Sequence, residues 1–364
     1  MKALTIGGAM IDTIAVIAND RIERMTMRNA ETSFLLLEEG RKNEAEDIST
    51  HCGGGAVNAA VALARLGHDV ATLIKLGQDA RAETVLARLA EEGVSTRLAL
   101  RDSRAPTGAS VLVSAHDRNA AIFTFRGANT LLEPKDLKKA AFATDLVYVS
   151  SLSNASADCF PLIVENAKSE GALVATNPGI RQLSARQGPF RDVIAKIDIL
   201  AVNAHEAGAL VPWLVARAGE GGQPLESKPG EEVPDLARRG FVAGGFELSL
   251  AGFFAGLHAA GPKWVVLTDG KDGAYVSGPS GILHCPAPTV IVVGTAGAGD
   301  AFSATFAAYI AETSSAEDAI IAAAVNAASV IGHLDTQTGL LRRRDLENGI
   351  ATLRASLKIM RWTN

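Results

Sequence analysis

Residues Val292–Phe302 read Val-Val-Gly-Thr-Ala-Gly-Ala-Gly-Asp-Ala-Phe, and this stretch decides the fold. The two valines predict the end of a strand, small residues follow, and Asp300 lies where a helix begins. Phe302, Phe306 and Ile310 recur every four residues, which predicts that the helix continues. Small residues let backbone N–H groups approach a ligand, and the unpaired N–H groups of a helix start attract anions.

Asp300 can be interpreted in two ways. A carboxylate at a helix start could take a proton from a nucleophile that attacks the bound anion, which indicates phosphoryl transfer. An Asp that follows glycines is also very often a helix cap. This segment alone leaves both interpretations open.

The composition excludes several classes of partner. The 364 residues are 48% hydrophobic and 21% charged, as in an ordinary globular protein of one large domain or two smaller ones. A net charge of −5 gives no electrostatic footprint for nucleic acid or an anionic membrane, and only 5% of the residues are aromatic. We therefore expect neither a nucleic-acid nor a membrane partner.

The ends and the cysteines indicate a cytoplasmic location. The apolar run of residues 1–8 is too short for a signal peptide or a membrane span. The three cysteines, Cys52, Cys159 and Cys285, are widely spaced and form no C-x-x-C pair. We expect them to be reduced thiols.

The order of elements predicts a doubly wound α/β fold. From residue 70 onward strands and helices alternate, which predicts a mostly parallel sheet with helices on both faces. Residues 13–51 alternate between apolar and polar, which predicts a small, partly exposed sheet that could also take strands from 107–125. The main α/β domain is then formed by residues 1–12 and 52–364, and the Gly-, Pro- and Glu-rich residues 218–235 are an exposed insertion.

Three further clusters could bind a ligand or could be structural. Gly53–Gly55 opens a helix in which Asn58 could hold hydroxyl groups, or the cluster is a capped glycine turn. Asn203 and Glu206 share one face of a helical turn, where they could hold the water shell of Mg²⁺ or form a capping box. Residues 268–273 form a turn that could contact a phosphate or a nucleobase. Asp12, after the first strand, could accept two hydroxyls of a polyol or cap a turn.

Taken together and in order, these motifs resemble those of the ribokinase-like carbohydrate kinases, the PfkB family. The resemblance runs over nearly the whole chain. The matching positions are Asp12, Gly53-Gly54 with Asn58, Asp79 with Leu89 and Gly93-Val94, Pro106-Thr107-Gly108, Gly127-Ala128-Asn129, Asn203 with Glu206, Thr268-Asp269-Gly270 with Gly273, Gly297-Ala298-Gly299-Asp300, and Asn326.

The resemblance implies a role for each of these groups. Asp300 would be the general base, and the N–H groups of Gly297, Ala298 and Gly299 would form an anion hole for the transferred phosphoryl group. Substrate hydroxyls would be held by Asp12, Gly54, Gly55 and Asn58. ATP would be bordered by Asn203, Thr268, Gly270, Gly273 and Asn326, and its Mg²⁺ would be organised by Glu206 and Asn203.

The chain departs from the family at three places. Gly294-Thr295-Ala296 stands where the family often has Asp-Thr-Thr, so activation by K⁺ is in doubt unless Asp335 supplies the carboxylate. Ribokinases have Lys at the position of Gly55 and Glu in the stretch Ser150–Ser153, so ribose itself is a weaker expectation. The resemblance also implies that residues 13–51 form a small β-sheet lid over the site. This lid is longer than in ribokinases and approaches the length found in adenosine kinases. Apolar side chains there could wall a nucleobase or could be lid packing: Met10, Phe34, Leu36, Phe123 and Phe125.

The sequence thus predicts an ATP-dependent kinase of a small sugar, with a nucleoside kinase as the alternative. A non-catalytic nucleotide-binding regulator is a rival, because the stretch Gly294–Ala296 is altered. A Rossmann dehydrogenase is rejected, since Gly7-Gly8 is not followed by G-x-G-x-x-G. By resemblance, a homodimer is also expected.

Overall fold

The computed structural model describes residues 1–17, 23–26, 33–36, 40, 42–115, 120–226 and 232–363. Within these residues the strands are β1 (Lys2–Gly7), β2 (Met10–Ile17), β3 (Glu23–Thr26), β4 (Ser33–Leu36), β5 (Asp47–Gly53), β6 (Asp69–Leu76), β7 (Leu100–Arg101), β8 (Gly108–Ala115), β9 (Ala120–Phe125), β10 (Leu146–Val149), β11 (Leu173–Thr176), β12 (Ile199–Asn203), β13 (Phe241–Ala243), β14 (Phe246–Leu248), β15 (Trp264–Thr268), β16 (Ala274–Gly278), β17 (Gly281–Cys285) and β18 (Met360–Trp362). The α-helices are α1 (Gly55–Arg65), α2 (Ala80–Glu91), α3 (Phe160–Ser169), α4 (Ile180–Leu183), α5 (Gln187–Val193), α6 (Ala204–Ala218), α7 (Asp235–Arg239), α8 (Leu250–Ala260), α9 (Ala298–Thr313), α10 (Ala316–Ile331) and α11 (Arg343–Leu353).

The main sheet confirms the predicted α/β fold. Its described strands follow the order β18-β17-β16-β15-β12-β11-β10-β1-β6-β7. The strands from β15 to β7 are parallel, whereas β16, β17 and β18 form an antiparallel edge. Helices α1, α9 and α10 contribute to the apolar core on one face, and α3, α6 and α8 to the core on the other. Because the carboxyl ends of parallel strands share one edge, the loops after β1, β10, β12 and β15 meet there.

Helices α9 and α10 lie close together because their facing residues are small. The buried residues of α9 include Ala301, Ala304, Ala307 and Ala308, and those of α10 include 322–324, all alanines. Alanine keeps helix propensity while letting two backbones approach. This pair supports the helix start that carries Asp300.

A second, four-stranded sheet forms the lid sheet, in the order β5-β2-β8-β9. Strands β2 and β8 are parallel, and the other two pairs are antiparallel. In this register Asp12 lies beside His51 and Ser110, and Ser110 lies beside Thr124. Since side chains alternate along a strand, these residues share one face and Val111 and Phe123 share the other.

Two elements differ from the sequence predictions. Val292-Val293 does not end a strand: β17 stops at Cys285, and residues 286–297 are irregular. Pro286 and Pro288 lack the N–H groups that a further ladder would need, so the segment is tied instead by Val293 N–H and Gly294 N–H to the carbonyl of Ile331 at the end of α10.

The sequence also predicts a helix over 156–168, and that helix begins later in the structure. A 3₁₀ turn occupies residues 154–159, and α3 starts at Phe160 with Pro161 in its first turn. Proline is tolerated there because the first helical N–H groups have no partner in any case.

The predicted insertion is mostly exposed in its described part. Residues 219–226 follow α6 without regular structure, and α7 begins at Asp235. Residues 227–231 lie outside the described residues. The exposed run is tied to the rest of the protein by Gly221, which exchanges backbone hydrogen bonds with Glu247 and Ser249, and by Trp362, whose Nε1 donates to the carbonyl of Glu226 at 2.7 Å.

Candidate active site

The start of α9 has unpaired backbone N–H groups next to open space. Gly297 caps the helix with φ of 81°, a left-handed conformation, and an added Cβ would lie 2.7 Å from the Cβ of Thr336. The first helical bond runs from Ala301 N–H to the carbonyl of Gly297, at 2.9 Å. The N–H groups of Ala298, Gly299 and Asp300 therefore have no acceptor within the helix. An added Cβ on Gly299 would meet nothing within 4 Å, so space lies open there.

Asp300 is held at this helix start by a single side-chain hydrogen bond. Asn58 Nδ2 donates to its Oδ2 at 2.9 Å. Burial raises the pKa of Asp300 above its ordinary value, the bond from Asn58 opposes the rise, and the charge of Asp12 adds to it. A raised pKa makes this carboxylate a stronger base than an exposed Asp, as a general base requires.

Asn58 positions Asp300 and is not free to bind a ligand with its whole amide group. Its side chain is only 3% exposed. Its Oδ1 accepts bonds from Thr336 Oγ1 at 2.9 Å and from Gln337 Nε2 at 3.2 Å. The expectation that Asn58 grips substrate hydroxyls therefore rests on its second N–H alone.

The glycine cluster lets the backbone close around Asp300. Gly54 has φ of 98°, and an added Cβ would lie 2.5 Å from the carbonyl oxygen of Gly8. A Cβ on Gly55 would lie 2.8 Å from the Cβ of Ser150 and 3.1 Å from Oδ1 of Asp300. Gly55 thus lies beside Asp300, whereas Gly54 packs against the backbone of Gly8 and Ala9. A larger residue at 55 would push against Ser150 and Asp300 together.

Two residues that were not predicted from the sequence support the first turn of α9. Tyr148, fully buried on β10, lies 2.6 Å from Ser303 Oγ, and Ser303 Oγ in turn donates to the carbonyl of Gly299 at 2.6 Å. This chain fixes the first turn of α9 against the sheet. The only signal in the sequence is a tyrosine in an otherwise aliphatic strand.

Asp12 reaches the same site from the lid sheet. Ser110 Oγ donates to its Oδ1. A Cβ on Gly53 would lie 1.9 Å from its Oδ2, so only glycine fits beside it. Burial raises the pKa of Asp12, while Ser110 and His51 oppose the rise. Since Asp12 also raises the pKa of Asp300, the two predicted site carboxylates act on one another across the cleft.

The ends of β12 and β15 bring Asn203 and Thr268 together as neighbours in the sheet. Asn203 Oδ1 accepts from Glu206 N–H at 2.8 Å, and Glu206 Oε2 accepts from Asn203 N–H at 3.0 Å. The pair therefore forms the capping box that was one of its two interpretations. Burial raises the pKa of Glu206, and the charge of Asp300 adds to the rise.

The carboxylates of Glu206 and Asp300 are both desolvated, and Glu206, predicted with Asn203 to organise Mg²⁺, would be the residue to anchor it. Two partly desolvated carboxylates repel one another, and a cation relieves that repulsion. Among the described residues no group of three or more His, Cys, Asp or Glu converges as a metal site. Mg²⁺ commonly uses one or two carboxylates, several waters and the phosphates of a substrate, so Glu206 suffices as an anchor.

The remaining nucleotide-side predictions fall in two places. Gly270 and Gly273 lie in the turn between β15 and β16, with φ of 55° and 97°, and an added Cβ on Gly270 would meet nothing within 4 Å. Asn326 is fully buried on α10, where its Nδ2 donates to Thr305 Oγ1 and its Oδ1 accepts from Leu341 N–H. The position of its side chain does not support direct contact with a nucleotide.

The altered loop packs against the loop that follows α10. A Cβ on Gly294 would lie 2.9 Å from the carbonyl oxygen of His333. In the second loop Asp335 Oδ1 accepts from the N–H groups of Gln337 and Thr338, both at 2.8 Å. Burial alone would raise the pKa of Asp335, but these bonds outweigh it and the pKa is lowered. Asp335 is therefore an ionised carboxylate near Gly294.

The cysteines take no part in this chemistry. All three are free and buried, and burial raises the pKa of Cys52 to about 11. A thiol with a raised pKa is a poor nucleophile at neutral pH.

Over the part of the chain that the structure describes, no helix has the length and apolar character needed to span a bilayer.

Comparison with known proteins identifies relatives over most of the chain. Residues 17–214 and 251–343 match the family described as pfkB family carbohydrate kinase, and the gap between the two ranges contains the insertion. The deoxyribokinase of Salmonella typhi is 27% identical over 329 residues, which cover 89% of this chain and 94% of that protein.

Solved structures share the fold. The ribokinase of Arabidopsis thaliana, complexed with ribose and ATP, superposes with a TM-score of 0.70 at 20% identity, over 96% of this chain and 98% of that one. An E. coli protein described as a ribokinase II, solved with ATP and Mg²⁺, gives a TM-score of 0.72 at 16% identity, over 96% of this chain and 99% of that one.

Proposed function

This chain belongs to the pfkB family of carbohydrate kinases, and we propose that it transfers the γ-phosphoryl group of ATP to a hydroxyl group of a small sugar. The observation that carries the proposal is a raised-pKa carboxylate, Asp300, in the first turn of a helix whose leading N–H groups are unpaired. A base and an anion site at one point are what phosphoryl transfer to an alcohol requires.

Each residue has one task in the reaction. Asp300 takes the proton of the attacking hydroxyl as its oxygen forms the new P–O bond, and the bond from phosphorus to the bridging oxygen breaks, releasing ADP. The N–H groups of Gly297, Ala298 and Gly299 face the charge on the transferred group. Such preoriented dipoles stabilise a transition state because they need no reorganisation as the charge develops.

The lid sheet supplies the second set of substrate contacts. Asp12 has an oxygen beyond its bond to Ser110, so it can accept hydrogen bonds from sugar hydroxyls while Gly54 and Gly55 leave room beside the base. Covering the reaction with the lid sheet keeps water from competing for the phosphoryl group. In this role Asn58 orients Asp300 and offers at most one N–H to the sugar.

ATP would lie along the ends of β12 and β15, beside Asn203, Thr268, Gly270 and Gly273. Glu206 would anchor Mg²⁺, which when bound neutralises charge on the phosphates. The burial of Asn326 places it behind this surface, where it holds α9 to the segment before α11.

A monovalent cation could bind between the two packed loops. The ionised Asp335 supports this idea, since its Oδ2 is not used by the bonds to Gln337 and Thr338. If Asp335→Ala leaves any K⁺ dependence of turnover unchanged, Asp335 has no such role.

No observation favours a nucleoside over a sugar as the acceptor. Phe123 is 60% exposed and lies on the face of the lid sheet opposite to Asp12, so it cannot wall the site. Met10 does share the face of Asp12, and the side chains of Phe34 and Leu36 lie outside what the structure describes.

The outward apolar residues of the lid sheet, among them Val111 and Phe123, support the expected homodimer instead. The buried free thiols support a cytoplasmic location.

The test is ADP release with MgATP against sugars, sugar phosphates, sugar acids and nucleosides. Phosphorylation of a sugar supports the proposal. Phosphorylation of a nucleoside alone would replace it by the nucleoside-kinase alternative. ATP binding with no turnover on any acceptor would favour a non-catalytic regulator.

A further inference from the structure

A cleft beside the lid sheet carries two arginines. It has a volume of about 560 Å³, and it opens between β9, the turn after β9 and the loops that follow β10 and β11. Its lining residues are Ala105, Ile122, Thr124, Phe125, Arg126, Gly127, Thr130, Asn154 and Arg181. No carboxylate is among them. The lining therefore combines an apolar edge, a few neutral polar groups and two guanidinium groups.

Neither arginine has an acidic partner among the described residues. Arg126 Nη1 donates to Ser153 Oγ at 3.0 Å. Its pKa is lowered by burial and further by the charge of Arg181. By contrast, two neighbouring arginines are paired: Arg104 with Asp102 and Glu133, and Arg186, five residues after Arg181, with Asp158. Two like charges held together without a counter-charge favour an anion between them.

The cleft is connected to the catalytic base by a short extended segment. Ser150 touches the position of Gly55 beside Asp300, and Ser153 holds Arg126. Three extended residues span roughly 10 Å. Thr124, which lines the cleft, follows Ser110 and Asp12 across one face of the lid sheet. The cleft therefore begins two strands away from Asp12 on the same face of the lid sheet, roughly 10 Å at the usual spacing of strands.

We propose that the acceptor carries an anionic group, a carboxylate or a phosphate, which Arg126 and Arg181 bind at the end of the sugar remote from the hydroxyl that Asp300 deprotonates. This inference rests on the proposed function. The planar guanidinium group suits both anions, because its N–H groups match two oxygens at once. A neutral sugar would leave the partly buried Arg126 beside Arg181 with no compensating charge.

The first experiment compares each anionic acceptor with a neutral sugar or polyol of the same carbon chain. ADP release is measured with gluconate against glucitol, ribose 5-phosphate against ribose, and fructose 6-phosphate against fructose. The expected result is a kcat/KM at least 100-fold higher for an anionic acceptor than for its neutral counterpart. Preference within the carboxylate or the phosphate pairs identifies the anion. A neutral sugar that equals or exceeds its anionic counterpart in every pair would overturn the inference while leaving a sugar kinase.

The second experiment removes one charge from the exposed arginine. With the preferred anionic acceptor, Arg181→Gln should raise KM by roughly 10- to 100-fold with kcat changed less than threefold, since the lost interaction is uniform binding. Arg126→Lys keeps the positive charge but loses the planar guanidinium group that can donate to two oxygens at once. This substitution should raise KM less. Arg186→Gln, a matched arginine outside the cleft, should leave both constants unchanged.

Binding measured by calorimetry separates the two proposals. If anionic sugars bind and Arg181→Gln weakens them without any acceptor being phosphorylated, the anion site stands and the kinase proposal fails. If Arg181→Gln and Arg186→Gln have the same KM and the same Kd as the wild type, the anion site is wrong.

Discussion

The surroundings of Asp300 and the cleft that contains Arg126 and Arg181 are built in opposite ways. Around Asp300 the side chains of Asn58 and Thr336 are already hydrogen-bonded, and Gly55 lets the backbone come close to Asp300. Around Arg126 and Arg181 the cleft is open, and the charged groups lack acidic partners in the described residues. The first end is fixed before a ligand arrives, whereas the second is completed by the ligand.

This difference separates chemistry from recognition. Preorganised donors and a fixed base lower the barrier because nothing has to move when charge develops. Uncommitted arginines contribute to binding and discriminate between acceptors. Substitutions at the Asp300 end should therefore lower kcat, and substitutions at the arginine end should raise KM.

The largest expected effect is that of Asp300→Asn. The substitution removes the base but keeps the shape, so kcat should fall by roughly 10²- to 10⁴-fold. The Kd for MgATP, measured by calorimetry, should stay within a few-fold of the wild type. Turnover near the wild-type rate would remove Asp300 from its role.

Gly55→Ala should have the next largest effect. The new Cβ would meet Ser150 at 2.8 Å and Asp300 at 3.1 Å and displace both. A displacement of this kind costs about 10²-fold at most when it reaches about 1 Å, so we expect a 10- to 100-fold lower kcat in steady-state assays. Gly188→Ala is the control, because its Cβ would meet nothing within 4 Å. Equal kcat values in the two variants would show that the glycine does not protect the base.

Asn58→Ala should move the pH profile. The bond from Asn58 lowers the pKa of Asp300, so its loss raises that pKa further. Because the ionised carboxylate is the active form, the acid limb of the kcat/KM profile should shift to higher pH. Thr336→Val, which removes a bond to Asn58 but not the one to Asp300, should shift the limb less. An acid limb that moves to lower pH would contradict this arrangement.

The smallest expected effect is that of salt, and it acts at the arginine end alone. Raising ionic strength screens partly exposed charges, so KM for an anionic acceptor should rise a few-fold between 0.05 and 0.5 M KCl, as an order of magnitude. Neither kcat nor KM for the matching neutral sugar should follow it. A parallel change for both acceptors would point to a general effect of salt on the protein. KCl is compared with tetramethylammonium chloride, which separates screening from any K⁺ effect.

The sequence predicted the two helices that begin at Gly55 and beside Asp300, because helix starts depend on local pattern. In both places the signal lies within a few consecutive residues: small residues before Asp300, and glycines before Asn58. The fold followed from strand and helix alternation. The same kind of pattern wrongly predicts a strand at Val292-Val293, because Pro286 and Pro288 interrupt the ladder before these apolar residues.

The rest depends on contacts between distant segments. Asn129, a motif residue, binds both backbone groups of Ala9 and so shapes the turn between β1 and β2. Asn326 is similarly bound to Thr305 Oγ1 and to the N–H of Leu341. Tyr148 and Ser303 are 155 residues apart, and Arg126 and Arg181 lie on different elements. No periodicity relates such pairs, so only the folded chain shows that they meet.

The most direct test of the central claim is the product itself. Wild-type protein is incubated with MgATP and the preferred sugar, and ³¹P NMR follows ADP and phosphomonoester together. We predict one phosphorylated sugar for each ADP, with both signals absent over the same time for Asp300→Asn. ADP that accumulates without a phosphorylated sugar, or a phosphorylated sugar formed equally fast by Asp300→Asn, would contradict the proposed mechanism.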